Sequence, residues 1–117
     1  MLACGVRFVI ARRDASGIAD ALPRVHVDDV PVLDDAWDFA RRDVVPGGTR
    51  RNLAAVEPFM NWSERLAEVQ RLVLADAQTS GGLLVAVDPS AAGALATQVH
   101  GTVIGAFTDG AGRIDAV

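Results

Sequence analysis

Between Leu83 and Thr108 the chain spells out a strand, a capped helix and a second strand, an order that points to helices packed on a sheet. Leu83 to Val87 (LLVAV) is a continuous apolar run, the mark of a strand covered on both faces. Asp88 stands before Pro89, an N-cap followed by a residue well suited to the first helical position. Ala92, Leu95, Ala96 and Val99 recur at helical spacing, Gly101 ends the helix, and Thr102 to Thr108 reads as the next strand. If the two strands are parallel, the connection between them should be right-handed. Asp109-Gly110 then marks a turn, and Arg113 to Val117 a short final strand.

Upstream the same vocabulary repeats. Gly5 to Ala11 reads as a strand with Val6, Phe8 and Ile10 on one face. Asp14 to Leu22 is helix-like, weakened by Gly17 and closed by Pro23; Arg24 to Asp28 alternates, with Val25 and Val27 inward and His26 outward. Asp34 or Asp35 can cap a helix running to about Asp43, its stripe formed by Ala36, Trp37, Ala40 and Val44. Val45 to Asn52 reads as a loop because of Pro46, Gly47 and Gly48, with a short helix from Thr49 or Arg50 to Glu57. Ser63 is a candidate N-cap for a helix over Glu64 to Ala75, in which Leu66, Val69, Leu72 and Val73 share a face. Asp76 to Gly82 is a second loop. The expected class is α+β: one domain over residues 1–117, a mixed sheet with helices packed on it, and no internal repeat.

Bulk properties fit that reading and exclude several others. The chain has 117 residues, 50% of them hydrophobic and 22% charged, the profile of a globular domain. The net charge of −4 argues against a nucleic-acid footprint, and no apolar run reaches the roughly 20 residues needed to span a bilayer. The apolar start, Met1 to Ile10, precedes Arg12 and Arg13, the reverse of the charge-first order of a secretory signal, so the cytoplasm is expected. The single cysteine, Cys4, allows no internal disulfide and reads as a small hydrophobe; His26 and His100 stand in contexts that suggest neither catalysis nor metal binding. The Arg12–Arg13 and Arg41–Arg42 pairs read as solvated surface. Arg50–Arg51 is the pair that falls among glycines.

Chemistry is therefore expected in the two glycine-rich segments. Paired glycines let backbone N–H groups approach a ligand and cradle an anion. In the first segment Gly47, Gly48, Thr49, Arg50, Arg51 and Asn52 combine such a turn with a hydroxyl and two guanidinium groups, suited to phosphate. In the second, Gln78, Thr79, Ser80, Gly81 and Gly82 place polar side chains before a glycine pair. Neither is a Walker or a dinucleotide motif, so plain turn geometry stands beside a ligand role for both. No catalytic residue and no metal-ligand set is identifiable, and the acidic residues, such as Asp28–Asp29 and Asp34–Asp35, read as caps and surface.

Together the two segments resemble a known family. Val44-Val45-Pro46-Gly47-Gly48-Thr49-Arg50-Arg51-Asn52-Leu53 is similar to the VPGGT-(R/K)-RN-L segment of selenophosphate synthetases. Leu74 to Val87, LADAQTSGGLLVAV here, is similar to the L-x-D-(P/A)-QTSGGLL-(I/V)-AV segment of the same family. Val30-Pro31-Val32-Leu33 ahead of a helix also fits, and the resemblance covers about Ala15 to Val117. It implies enzymes that make selenophosphate from selenide and ATP with Mg2+, releasing AMP and phosphate. It also implies the superfamily of aminoimidazole ribonucleotide synthetase, in which two α/β domains join. There the N-terminal domain holds the dimer contact, most ATP and metal ligands, and the reactive Cys with its Lys. The C-terminal domain closes the cleft.

Against that pattern the chain corresponds to the C-terminal domain alone. The expected N-terminal domain and the DVTGFG-type motif are missing, Cys4 lies outside a Cys-x-x-Lys context, and the sequence contains no lysine. Dikinase activity is therefore not expected of the chain by itself, since phosphoryl transfer needs metal and cationic positioning. Mg2+ and ATP are implied for the whole enzyme, and no cofactor for this chain alone. A sheet edge or apolar face left uncovered should drive self-association, or association with a separate N-terminal ATP-binding domain. Two other readings stand beside the enzyme segment: a non-catalytic anion-binding or interaction module that reuses the fold, and another ATP-dependent member of the superfamily.

Overall fold

The computed structural model describes residues 8–11, 21–77, 82–109 and 112–117. Among them lies a mixed six-stranded sheet: β1 (Phe8–Ala11), β2 (Ala21–Val25), β3 (Met60–Trp62), β4 (Leu84–Val87), β5 (Thr102–Asp109) and β6 (Ile114–Ala116). The spatial order is β3-β6-β2-β5-β1-β4. All ladders are parallel except β2 with β5. Each ladder joins a strand from the first 62 residues to one that begins at Leu84 or later. Four helices complete the α+β fold: α1 (Asp34–Arg41), α2 (Gly47–Val56), α3 (Glu68–Leu74) and α4 (Pro89–Gln98). Among the described residues no helix is long and apolar enough to cross a membrane.

The β4–α4–β5 unit forms as the sequence indicates. The Asp88 side chain accepts a 2.8 Å hydrogen bond from the Ser90 N–H at the start of α4, where Pro89 occupies the first turn. Ala92 and Ala96 are buried, with Val87 packed against them. His100, rather than Gly101, takes the left-handed conformation after the helix (φ 51°), while the Gly101 N–H closes on the Ala96 carbonyl. Between β4 and β5 the chain passes over β1, which pairs in parallel with both.

One expectation for this unit is corrected. β4 is not covered on both faces: it lies at the sheet edge, and Leu83 and Leu84 are 63% and 56% exposed. A short all-apolar run carries no face information, and here α4 shelters the Val85 and Val87 side only.

Gly105 is fixed by a close approach. A Cβ there would lie 2.0 Å from the Arg24 carbonyl oxygen, so any side chain would force β2 away from β5. The adjoining register shift, where Ile10 pairs with Gly105 directly after Val9 pairs with Val103, leaves Ile104 as the extra residue of a bulge. Its carbonyl instead accepts from the His26 N–H at 2.8 Å.

α1, α2 and α3 pack together, and Leu74 of α3 contacts two core clusters on the sheet. One holds Val30 and Ile104; the other holds Val27, Leu66 and Ala116. Burying side chains such as Leu72 and Val73 contributes about 2 kcal/mol each. α1 stops where Asp43 adopts φ 61°, the position glycine most often fills. Neither Asp34 nor Asp35 is its N-cap; that position is Leu33, and both acids lie in the first turn, where the helix dipole favours them. Ala40 is buried and Ala36 and Trp37 half-buried, but Val44 lies beyond the helix and is exposed.

Several other boundaries differ from the sequence expectation. α2 begins at Gly47, so the Val45–Asn52 segment is mostly helix rather than loop. Glycine costs little in a first turn whose N–H groups have no intrahelical partner. α3 begins at Glu68, not after Ser63, because the Ser63 hydroxyl accepts from the Arg65 N–H and closes a tight turn. At the start of α3 the Gln70 side chain accepts from the Ala67 N–H.

The expected helix over Asp14–Leu22 lies largely outside the described residues, and its last two positions belong to β2. Pro23 does not end a helix; it sits within β2 opposite Phe107, one residue before β6 begins to pair on the other side. β3 had no clear sequence signal. It is held by its parallel ladder to β6 and by Asn61 donating to Asp115 at 2.9 Å.

Candidate functional site

The two glycine-rich segments meet. α2 starts on Gly47 and Gly48 after an extended Pro46, and its first turn abuts the end of α3. Thr49 is 1% exposed, and its hydroxyl donates to Asp76 Oδ1 at 2.6 Å. One turn on, Asn52 Nδ2 donates to the Ala75 carbonyl at 3.2 Å. A methyl placed on Gly48 would lie 3.5 Å from the Ala77 Cβ, so the start of the second segment lies against the first. Asp76, Ala77 and Gly82 are described; Gln78, Thr79, Ser80 and Gly81 lie outside the described residues.

The two arginines, equivalent in the sequence, separate in space. Arg50 turns toward α1 and α3, pairing with Asp43 and reaching Glu68 Oε1 at 3.9 Å. Arg51 returns over the start of its own helix. A Cβ on Gly47 would lie 3.7 Å from Arg51 Nη1, and one on Gly48 would lie 3.9 Å from Nη2. Among the described residues no carboxylate is within ion-pairing distance of Arg51. The glycines themselves answer no internal demand. Neither has a positive φ, and a methyl at either would meet only ordinary van der Waals neighbours. Among the described residues the Gly47 and Gly48 N–H groups have no hydrogen-bond partner, so the start of α2 presents them and a helix dipole beneath an exposed guanidinium, an arrangement that favours anions.

Thr49 and Asp76 also form the polar end of an apolar cavity of about 90 Å³ between α1, α2 and α3, with Phe39, Val44 and Pro46 at its wall. Among the described residues no three His, Cys, Asp or Glu side chains come together in a way that could hold a metal ion. His26 lies 3.5 Å from Asp29, both exposed, and His100 serves the chain reversal after α4. Cys4 lies outside the described residues. Sequence reasoning missed Asp76 as a partner of the first segment. The signal available was its position directly ahead of the second one.

No protein-family model matches the chain. Curated selenide, water dikinases do. The chain is 48% identical to that of Aliarcobacter butzleri over 60 residues, 51% of this chain and 17% of the relative. With the Pseudomonas aeruginosa enzyme it shares 49% over 69 residues, 56% of this chain and 18% of the relative. With that of Rhizobium meliloti it shares 36% over 94 residues, 75% of this chain and 27% of the relative. The chain is thus a selenophosphate synthetase-like segment, spanning between about a sixth and a quarter of the length of the relatives it matches.

Proposed function

We propose that the start of α2 is a phosphate-binding cradle within a segment of a selenide, water dikinase. The cradle is formed by the Gly47 and Gly48 N–H groups and the Arg51 guanidinium. The observation that carries this reading is that, among the described residues, two glycines with no conformational or packing need for glycine lie under an arginine without a carboxylate partner. Their bare backbone leaves room for an anion at the helix start, and arginine is suited to bidentate contact with it. Thr49, Arg50 and Asn52 act as support, since their polar groups are engaged within the protein.

In the complete enzyme the cradle would hold phosphate groups of ATP or of the product while selenide is phosphorylated, giving selenophosphate, AMP and phosphate. Mg2+ and most nucleotide contacts would come from an N-terminal domain, so the chain alone is expected to lack dikinase activity. The cytoplasm is the proposed location. The exposed edge at β4, with Leu83 and Leu84, is the proposed surface for self-association or for that separate ATP-binding domain. A second reading rests on the same cradle: a non-catalytic module that binds an anion without turning it over.

Isothermal titration with inorganic phosphate and with Mg-ATP tests the proposal. Phosphate binding that Arg51→Ala weakens about tenfold, while Arg50→Ala changes it less than about twofold, is the expected result. Equal losses in both variants, or no phosphate binding at all, would overturn it. If the cradle holds, binding of Mg-ATP no tighter than phosphate assigns the nucleotide contacts elsewhere, and tighter binding places them on this chain.

A further inference from the structure

A second cleft, of about 580 Å³, opens between α1, the start of α3 and the tight turn at Val27–Asp29. It is built without α2 and without either glycine-rich segment, and its size is that of a small-molecule site. Val30, Pro31, Val32 and Val69 give it apolar walls, and the half-buried Trp37 of α1 adds an aromatic one. Its polar lining consists of Asp28, Arg41 and Gln70. Two of these are engaged within the protein. Arg41 donates to Asp38 Oδ1 at 3.0 Å, and the Gln70 side-chain oxygen accepts from the Ala67 N–H at 2.9 Å. Asp28 differs: among the described residues its carboxylate has neither an ion pair nor a hydrogen bond. The neighbouring Asp29, outside the cleft lining, lies 3.5 Å from His26 Nδ1.

The turn that carries Asp28 is closed before any ligand arrives. The Val27 N–H bonds to the Val117 carbonyl, the Asp29 N–H to the His26 carbonyl and the Val30 N–H to the Val27 carbonyl. Val27 and Val30 on either side are buried, so the position of Asp28 is set by the fold. We propose that this cleft binds a small organic ammonium ion, with Asp28 meeting its charge and Trp37 its alkyl-substituted face. An alkylated ammonium is attracted to an indole ring and is apolar enough to lie against valine and proline. A bare metal ion would find a single carboxylate, too few ligands to hold it. An anion would face the unpaired Asp28. Arg41 does not oppose a cation, because Asp38 balances its charge, and the net charge of −4 favours a cation's approach. The proposal stands apart from the phosphate cradle and shares no residue with it.

The chain's two tryptophans supply the test. Trp62 Nε1 donates to Glu57 at 2.9 Å and does not line the cleft, so its indole signal is an internal control. In an NMR titration of the whole chain with choline, the Trp37 indole N–H should shift and saturate while that of Trp62 stays. The uncharged isostere of choline, with carbon in place of nitrogen, should bind at least about fivefold more weakly. Asp28→Asn, an exposed change, should weaken choline about fivefold, and Asp29→Asn less than about twofold. Trp37→Leu, followed at the Val69 amide, should weaken it about tenfold. A motionless Trp37 signal would overturn the proposal. So would equal binding of the uncharged isostere, or equal losses in Asp28→Asn and Asp29→Asn, which would reduce the effect to general attraction by an acidic protein.

Discussion

α4 and α2 are both ten-residue helices, yet they are started by opposite means. The first turn of α4 is set by its own neighbours: Asp88 holds the Ser90 N–H, and Pro89 supplies the fixed backbone angle. The first turn of α2 has no such cap, and the side chain that steadies it arrives from a residue 27 positions away. The difference has a functional sense. A locally capped helix start has its donors consumed, whereas a start steadied from the side keeps its first N–H groups available. The region built from local signals is scaffold; the region built from distant contacts carries the candidate chemistry.

Substitutions can break that contrast or sharpen it. Gly105→Ala should have the largest effect, on the order of 3 kcal/mol in urea unfolding, because a methyl 2.0 Å from the Arg24 carbonyl pushes the central strands apart. That loss should reach both regions equally, since β5 serves both. Thr49→Val should cost about 2 kcal/mol, the range for a hydrogen bond to a charged group, with the damage confined to α2 and the end of α3. An equal loss of protection in α4 would erase the distinction drawn here.

The smallest effect should come from Asp88→Asn. Hydrogen bonds from the Ser90 side chain and backbone hold the Asp88 carboxyl below its ordinary range. Its contribution is thus present above the unfolded-state value and fades as pH falls through the folded one. Unfolding midpoints measured between neutral and acid pH should show a slightly shallower acid decline in the variant. No change in that slope would mean the cap contributes nothing through its charge.

The same contrast explains what the sequence disclosed. The Asp88-Pro89 start, the stripe from Ala92 to Val99 and the Thr102–Thr108 strand were legible because their causes lie within a few residues. The start of α2 was misread as loop, since Gly47 and Gly48 carry the local signature of a turn and the stabilising Asp76 is remote. β3 escaped notice because a three-residue strand exists only through its ladder to β6. The all-apolar LLVAV run could not reveal that one of its faces is open. For the site, the residue types were visible in the two glycine-rich segments, and so was the family likeness. The partition between Arg50 and Arg51 was not, because it depends on where Asp43 and Glu68 fall in space.

The alternation of early and late strands across the sheet has a consequence for how the chain is made. β1, β2 and β3 are never neighbours of one another; each waits for a partner that begins at Leu84 or beyond. During synthesis the first half of the polypeptide can form helices, but its described strands have no partner among the described residues of that half. Sheet formation is deferred to the arrival of the last strands, and such long-range closure is intrinsically slow. It also makes the molecule a natural candidate for complementation. Cut in the stretch between β3 and β4, the chain would yield two pieces whose strands can complete this sheet only by interleaving with each other.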